Sequence, residues 1–193
     1  MTDHARIREA IETHRAMLTA FESHGIGTVI AMAQAIVQSL QNNGTLYLCG
    51  NGGSAADAQH IAGEFVGRFR VDRRPLPAIA LSTDTSVLTC IGNDYDYQSV
   101  FSRQVEALVR PGDILWAFST SGTSPNVLKA AEAAKRKGAC VLAFTGRISS
   151  KLQAMADLCL CAEAAVTARS QEIHQLAYHI ICDLVEQSLG GDG

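Results

Sequence analysis

Two predicted helices carry side chains suited to proton transfer and metal ligation. His60 and Glu64 are four residues apart and so share one helix face, about one turn beyond a glycine-rich loop. An imidazole and a carboxylate so placed offer a base and a metal ligand, although an exposed i,i+4 helix pair has the same spacing. The final helix carries Gln171, Glu172, His174, Gln175 and His179 among Ile173, Leu176, Ile180, Ile181, Leu184 and Val185. At ~100° per residue, the step from Gln171 to His179 leaves them about 80° apart, so both can face one cavity. On spacing alone His174 has no weaker claim than His179, and a histidine in such a helix is commonly a hydrogen-bonded core residue.

Two strand-to-helix turns must position these groups. Leu46-Tyr-Leu-Cys-Gly-Asn-Gly-Gly-Ser54 is an apolar run that breaks into glycines and opens a helix, and Ile114-Leu-Trp-Ala-Phe-Ser-Thr-Ser-Gly-Thr-Ser124 repeats the design. Gly50, Gly52 and Gly53 permit positive φ and close backbone approach, so several N–H groups can converge on an oxygen-rich ligand at a helix N-terminus. Ser119, Thr120, Ser121, Thr123 and Ser124 add hydroxyl donors without positive charge, and Pro125 suits the first helical position after an N-cap Ser124. Such turns are often only caps, but two in one chain point to a phosphorylated or hydroxylated ligand. Neither matches G-x-G-x-x-G or G-K-[ST], which argues against NAD and ATP.

The apolar periodicity gives the frame. Ile7, Ile11, Leu18 and Phe21, then Ile26, Ile30, Ala33, Ile36, Val37 and Leu40, predict two opening helices ending at Asn42-Asn43-Gly44. Short apolar runs at Thr45–Cys49, Ala78–Leu81, Ile114–Phe118, Cys140–Thr145 and Leu158–Cys161 alternate with helical sequence, predicted at Ser54–Phe69, Tyr97–Val109, Pro125–Lys137 and about Ser170–Ser188. Ser54-x-x-Asp57 has the form of a capping box. This βα rhythm predicts a parallel sheet covered on both faces. In the common five-strand doubly wound order, strand 1 lies beside strand 3 at the switch point, which brings both turns to one site.

At 193 residues the chain is expected to form a single domain over 1–193, with helices at 1–43 and an α/β core at 45–190. A net charge of −3 with mixed signs gives no basic stripe for nucleic acid. No apolar run is long enough to span a bilayer and the first residues lack a secretory pattern, so a soluble cytoplasmic protein without membrane contact is expected. Cys49, Cys90, Cys140, Cys159, Cys161 and Cys182 lack C-x-x-C spacing and read as reduced thiols, most of them in the core. Asp72-Arg-Arg-Pro-Leu-Pro77 reads as a surface connection.

GNGGSAADAQHIAGEF (Gly50–Phe65), IGNDYDY (Ile91–Tyr97), FSTSGTS (Phe118–Ser124) and QEIHQLAYH (Gln171–His179) together resemble the phosphoheptose isomerases of the sugar isomerase (SIS) domain superfamily, from about Thr45 to the end. The FSTSGTS element resembles SIS domains in general; His60 with Glu64, Asn93-Asp94, and Gln171 with His179 carry the narrower likeness. The resemblance implies an α/β three-layer sandwich with a five-stranded parallel, flavodoxin-like sheet and extra N-terminal helices. It also implies a homotetramer with active sites near subunit interfaces, assembled largely through those helices. By the same resemblance Asn51, Gly52, Gly53, Asn93 and Asp94 contact substrate, with Glu64 and Gln171, while Ser119, Thr120, Ser121 and Ser124 hold phosphate. His60, Glu64, Gln171 and His179 correspond to a zinc site, one ion per subunit, and Glu64 and His179 to the acid/base pair.

The implied reaction converts sedoheptulose 7-phosphate to D-glycero-D-manno-heptose 7-phosphate through an enediol, the opening step toward nucleotide-activated heptoses of lipopolysaccharide and surface polysaccharides. An aldose–ketose isomerase needs a base, a partner acid and oxyanion stabilisation, and Glu64 and His179 are the right chemical types. Glu64 cannot be wholly a metal ligand and wholly a base, and both roles stay open. Two rivals share the fold: a non-catalytic protein that binds the replication initiator, in which the final-helix histidine is absent, and a sugar-phosphate-sensing module. Trp116 in strand 3 and Arg147-Ile-Ser-Ser150 after strand 4 depart from the family pattern, and are expected to lie away from the site.

Overall fold

A computed structural model describes residues 1–190; residues 191–193 of the expected 1–193 domain lie outside the described residues. Two helices, α1 (Asp3–His24) and α2 (Ile26–Gln41), precede a sheet of five strands: β1 (Leu46–Cys49), β2 (Ala78–Ala80), β3 (Ile114–Ser119), β4 (Cys140–Thr145) and β5 (Leu158–Cys161). Between and after them come α3 (Gly53–Val66), α4 (Thr85–Asp94), a 3-10 turn (Tyr97–Ser99), α5 (Ser102–Leu108), α6 (Pro125–Arg136), α7 (Lys151–Met155) and α8 (Thr167–Leu189). All pairings are parallel and the order is β2-β1-β3-β4-β5, as the doubly wound reading expects.

Side chains alternate across the sheet, and the alternation builds the three layers. Leu46, Leu48, Ile114, Trp116, Phe118, Leu142 and Phe144 pack on one face with α2, α3 and α8. Tyr47, Cys49, Leu115, Ala117, Val141 and Ala143 pack on the other with α4 to α7. Every residue of β1 and β3 is buried. Trp116 fills the centre, its ring 5.3 Å from Phe118 and 5.1 Å from Phe144. Leu46 pairs with Ile114 and Cys49 with Ala117, so the two strands deliver the chain to their turns side by side.

Several sequence expectations need correction. The predicted helix Tyr97–Val109 is a 3-10 turn and a separate α5, and α4 and α7 are additional. The capping box at Ser54 is absent: Gly52 is the N-cap, at φ +55°, and no side chain caps the helix. The segment before β2 is not merely a surface connection. Leu76 is buried, and Arg73, whose side chain is buried, has Nε 3.2 Å from Glu186 Oε1 on α8. Glu186 also accepts from the Phe69, Arg70 and Val71 N–H groups at 2.6–3.0 Å. Burial alone would raise its carboxyl pKa; these donors and Arg73 outweigh burial and hold it below the usual range.

His174 also resolves differently from its sequence-level claim. It is wholly buried, with Nε2 3.0 Å from the Thr145 carbonyl at the end of β4 and Nδ1 without a partner. It is a core histidine that ties α8 to the sheet. Burial pushes its imidazole down to about 4, so the native state keeps it neutral while the unfolded chain protonates near 6.5. Stability from this neutral ring is therefore complete above pH 6.5 and is lost as pH falls toward 4, by on the order of 3 kcal/mol. Urea unfolding at pH 7 and pH 4.5 tests this: His174→Gln is expected to be less stable at pH 7 and to show a smaller acid loss than the unsubstituted protein.

Candidate active site

The first turn leaves β1 at Gly50 and enters α3 through Gly52. Both outer glycines are required by close packing. A Cβ on Gly50 would stand 2.7 Å from the Ser54 carbonyl oxygen, and one on Gly53 would run into Gln171 Nε2 of α8. Gln171 is thereby placed against the first turn.

The second turn is lined with hydroxyls. Ser119 Oγ donates to Ser124 Oγ at 3.0 Å, lies 3.3 Å from Ser121 Oγ and accepts from the Gly122 N–H at 3.1 Å. Ser124 is the N-cap of α6 and Pro125 opens the helix, yet the Ser124 hydroxyl makes no capping bond. It is taken up instead by Ser119, within a set of hydroxyls and amides of the kind that suits a phosphate. The loop after β4 is not remote from this turn, contrary to expectation. A Cβ on Gly122, which has φ +63°, would strike the Ser150 side chain, and the Leu152 N–H donates to the Gly122 carbonyl at 3.0 Å.

α3 and α8 bring the proposed chemical groups together. His60 Nε2 is 2.9 Å from Glu64 Oε1 and 3.5 Å from His179 Nε2. One ligand atom from each of the three residues lies within 4.8 Å of the others. Two ligands held 2.0–2.1 Å from a tetrahedral zinc ion are about 3.3 Å apart, so the His60–Glu64 and His60–His179 separations suit zinc, as does the chemistry of two imidazoles and a carboxylate. Among the described residues no hydrogen bond engages Glu64 Oε2, and none joins Gln171 to these three. Burial and the neighbouring His60 lower the His179 imidazole pKa, against an upward pull from Glu64.

Residues that spacing did not single out support this cluster. Tyr178 Oη is 3.2 Å from His60 Nδ1, and Phe69 stacks on His179 with centroids 5.8 Å apart. Asp57, read from sequence as a cap, turns one oxygen into the interior without a partner. Burial pushes its carboxyl up to about 6, against a lowering influence from His60 and Tyr178. Its place three residues before His60 on one helix face was the available signal.

Asn51 does not offer its side-chain oxygen freely. Its amide exchanges two hydrogen bonds with Asn126 of α6, at 2.8 and 2.9 Å. Asn93 and Asp94 stand exposed at the end of α4, where Asn93 Nδ2 donates to Asp94 Oδ1 at 2.8 Å. They make no hydrogen bond to the other candidate residues among those described. Only the following Tyr97 reaches back, its Oη 3.5 Å from Asn51 Oδ1. The arrangement can anchor an anion at one turn, place a polyol along the other, and move protons with a carboxylate and two imidazoles.

Comparison with known proteins follows the same lines. A family model described as the SIS domain matches residues 11–146. A phosphoheptose isomerase of Burkholderia pseudomallei is 50% identical over 185 residues, 96% of this chain and 93% of that protein. One from Roseiflexus is 53% identical over 161 residues, 83% of this chain and 82% of the relative. The solved phosphoheptose isomerase of Neisseria gonorrhoeae superimposes with a TM-score of 0.91 at 42% identity, covering 96% of this chain and all of that one.

Proposed function

The chain belongs to the phosphoheptose isomerases of the SIS domain family, and from that membership we propose that it interconverts sedoheptulose 7-phosphate and D-glycero-D-manno-heptose 7-phosphate. The observation that carries this reading is the convergence of His60, Glu64 and His179 on the helices that flank the first turn, beside a second turn lined with hydroxyls. The non-catalytic initiator-binding and sugar-sensing alternatives are disfavoured by half-identity to phosphoheptose isomerases over nearly the whole chain and by the presence of His179.

In the proposed reaction the phosphate sits on the hydroxyls of Ser119, Ser121 and Ser124 and the amides around Thr120, which fixes the far end of the open-chain sugar. The backbone of Asn51, Gly52 and Gly53, with Gln171, Asn93 and Asp94, orients the hydroxyls. Glu64 removes a proton from C1 of the ketose; the C1–H electron pair forms the C1–C2 double bond of an enediol and the carbonyl electrons move to O2. His179 gives a proton to O2 and takes one from O1, and Glu64 returns its proton to C2, which yields the aldose. His60, Glu64, Gln171 and His179 would hold one zinc ion per subunit, which when bound supplies Lewis-acid polarisation of the sugar oxygens. Glu64 has two oxygens: Oε1 faces His60, and Oε2 is the one proposed as base. The proposal thus gives each of the two roles its own oxygen.

The same reading includes a cytoplasmic homotetramer. No helix among the described residues is long and apolar enough to cross a membrane. α1 buries none of its residues, and Ile7, Ile11 and Leu18, with Ile26 and Ile30 of α2, present exposed apolar side chains that favour assembly.

The anchoring step is tested by comparing sedoheptulose 7-phosphate with unphosphorylated sedoheptulose. Remote binding energy supports the chemical step, so loss of the phosphate is expected to lower kcat/KM at least ~100-fold, and Ser119→Ala to raise KM about tenfold for the phosphorylated sugar alone. Equal use of both sugars would contradict the assignment of the second turn.

A further inference from the structure

The two turns leave different strands, and something must fix the distance between them. Asn126, the second residue of α6, is 3% exposed and makes three hydrogen bonds. Its Nδ2 donates to Asn51 Oδ1 at 2.8 Å, its Oδ1 accepts from Asn51 Nδ2 at 2.9 Å, and the same Oδ1 accepts from the Val127 N–H at 3.0 Å. The Val127 donor dictates which end of the Asn126 amide is oxygen, and the reciprocal pair then dictates the orientation of Asn51. The two amides therefore form a closed, two-bond ring between the loop after β1 and the helix after β3.

We propose that Asn126 is a positioning residue: through Asn51 it locks the first turn in register with the phosphate-holding second turn. This rests on the isomerase reading. The phosphate anchors C7 of the sugar while proton transfer happens at C1 and C2, so any slack between the turns is carried along the whole chain of the substrate. Misplacement by about 1 Å at the reacting atoms costs roughly 100-fold in rate. The ring also explains why Asn51 must serve substrate mainly through its backbone: its side-chain oxygen already accepts from Asn126 and faces Tyr97 Oη at 3.5 Å.

A double-mutant cycle tests the proposal with Asn51→Ala, Asn126→Ala and the double variant, alongside the isosteric Asn126→Asp. Each alanine variant is expected to weaken sedoheptulose 7-phosphate binding by calorimetry about tenfold and to lower kcat about a further tenfold, while inhibition by inorganic phosphate changes less than about threefold. The double variant is expected to be no worse than either single one, since both remove the same ring. In Asn126→Asp the Val127 bond survives but a carboxylate oxygen opposes Asn51 Oδ1. Its activity relative to the unsubstituted protein is expected to rise as pH falls, because a protonated carboxyl can donate as the amide did. Additive losses in the double variant, or loss of phosphate affinity in step with sugar-phosphate affinity, would overturn the proposal. No turnover by the unsubstituted protein would count against the isomerase reading instead, and the calorimetric cycle would still decide the role of Asn126.

Discussion

Glu64→Gln is expected to lower kcat about 1,000-fold, equivalent to about 4 kcal/mol of barrier, while sedoheptulose 7-phosphate still binds within about threefold of its normal Kd. Gln is nearly isosteric and keeps an oxygen where Oε1 faces His60, but it cannot accept a proton from carbon at neutral pH. The loss should therefore fall on the chemical step and leave binding intact, which is the pattern of an interaction used only in the transition state. Stopped assays at saturating sugar phosphate and added zinc, with calorimetry on the same preparation, separate the two quantities. Near-normal kcat would remove Glu64 as the base. Parallel loss of binding would make it a substrate ligand alone.

His179→Ala is expected to cost about 1,000-fold in turnover that excess zinc does not restore, because the proposal gives this imidazole both a ligand and a proton-shuttling role. His60→Ala separates the two. It removes a donor 2.9 Å from Glu64 and 3.5 Å from His179 but leaves the shuttle in place. Both variants are expected to lose at least about 100-fold in zinc affinity, read by competition with a chelating indicator, and only His60→Ala is expected to regain turnover when zinc is raised. Recovery of His179→Ala by zinc would reduce its role to ligation. Unchanged zinc affinity in both variants would refute the metal assignment independently of any activity.

The parts of this molecule governed by local periodicity were legible in the sequence. The five strands, their parallel order and the two flanking turns follow from alternating apolar runs, glycine placement and the handedness of crossovers. α4 was not visible. Ser82-Thr-Asp-Thr-Ser86 is an unbroken polar run with no apolar period, yet Asp84 caps the helix by accepting the Val87 N–H at 2.9 Å, and the helix buries only Ile91. α7 has five residues, too few to show a period. His174 and His179 are indistinguishable by spacing, and it is the Thr145 carbonyl that claims one and the His60 ring that meets the other. Asn126 and Tyr178 act through partners 75 and 118 positions away and Asp57 through burial, relations that no local pattern encodes.

The most direct test of the isomerase reading is to incubate the zinc-supplied protein with sedoheptulose 7-phosphate in deuterated water and follow the sugar by NMR. An aldose heptose 7-phosphate is expected to form at a catalytic rate, with deuterium at C2, and deuterium is expected to enter C1 of the remaining ketose as the enediol partitions backward. Both signals should disappear in Glu64→Gln. Rapid aldose formation with the original hydrogen fully retained at C2 would contradict a solvent-exchanging carboxylate base, and no aldose at all would contradict the isomerase itself.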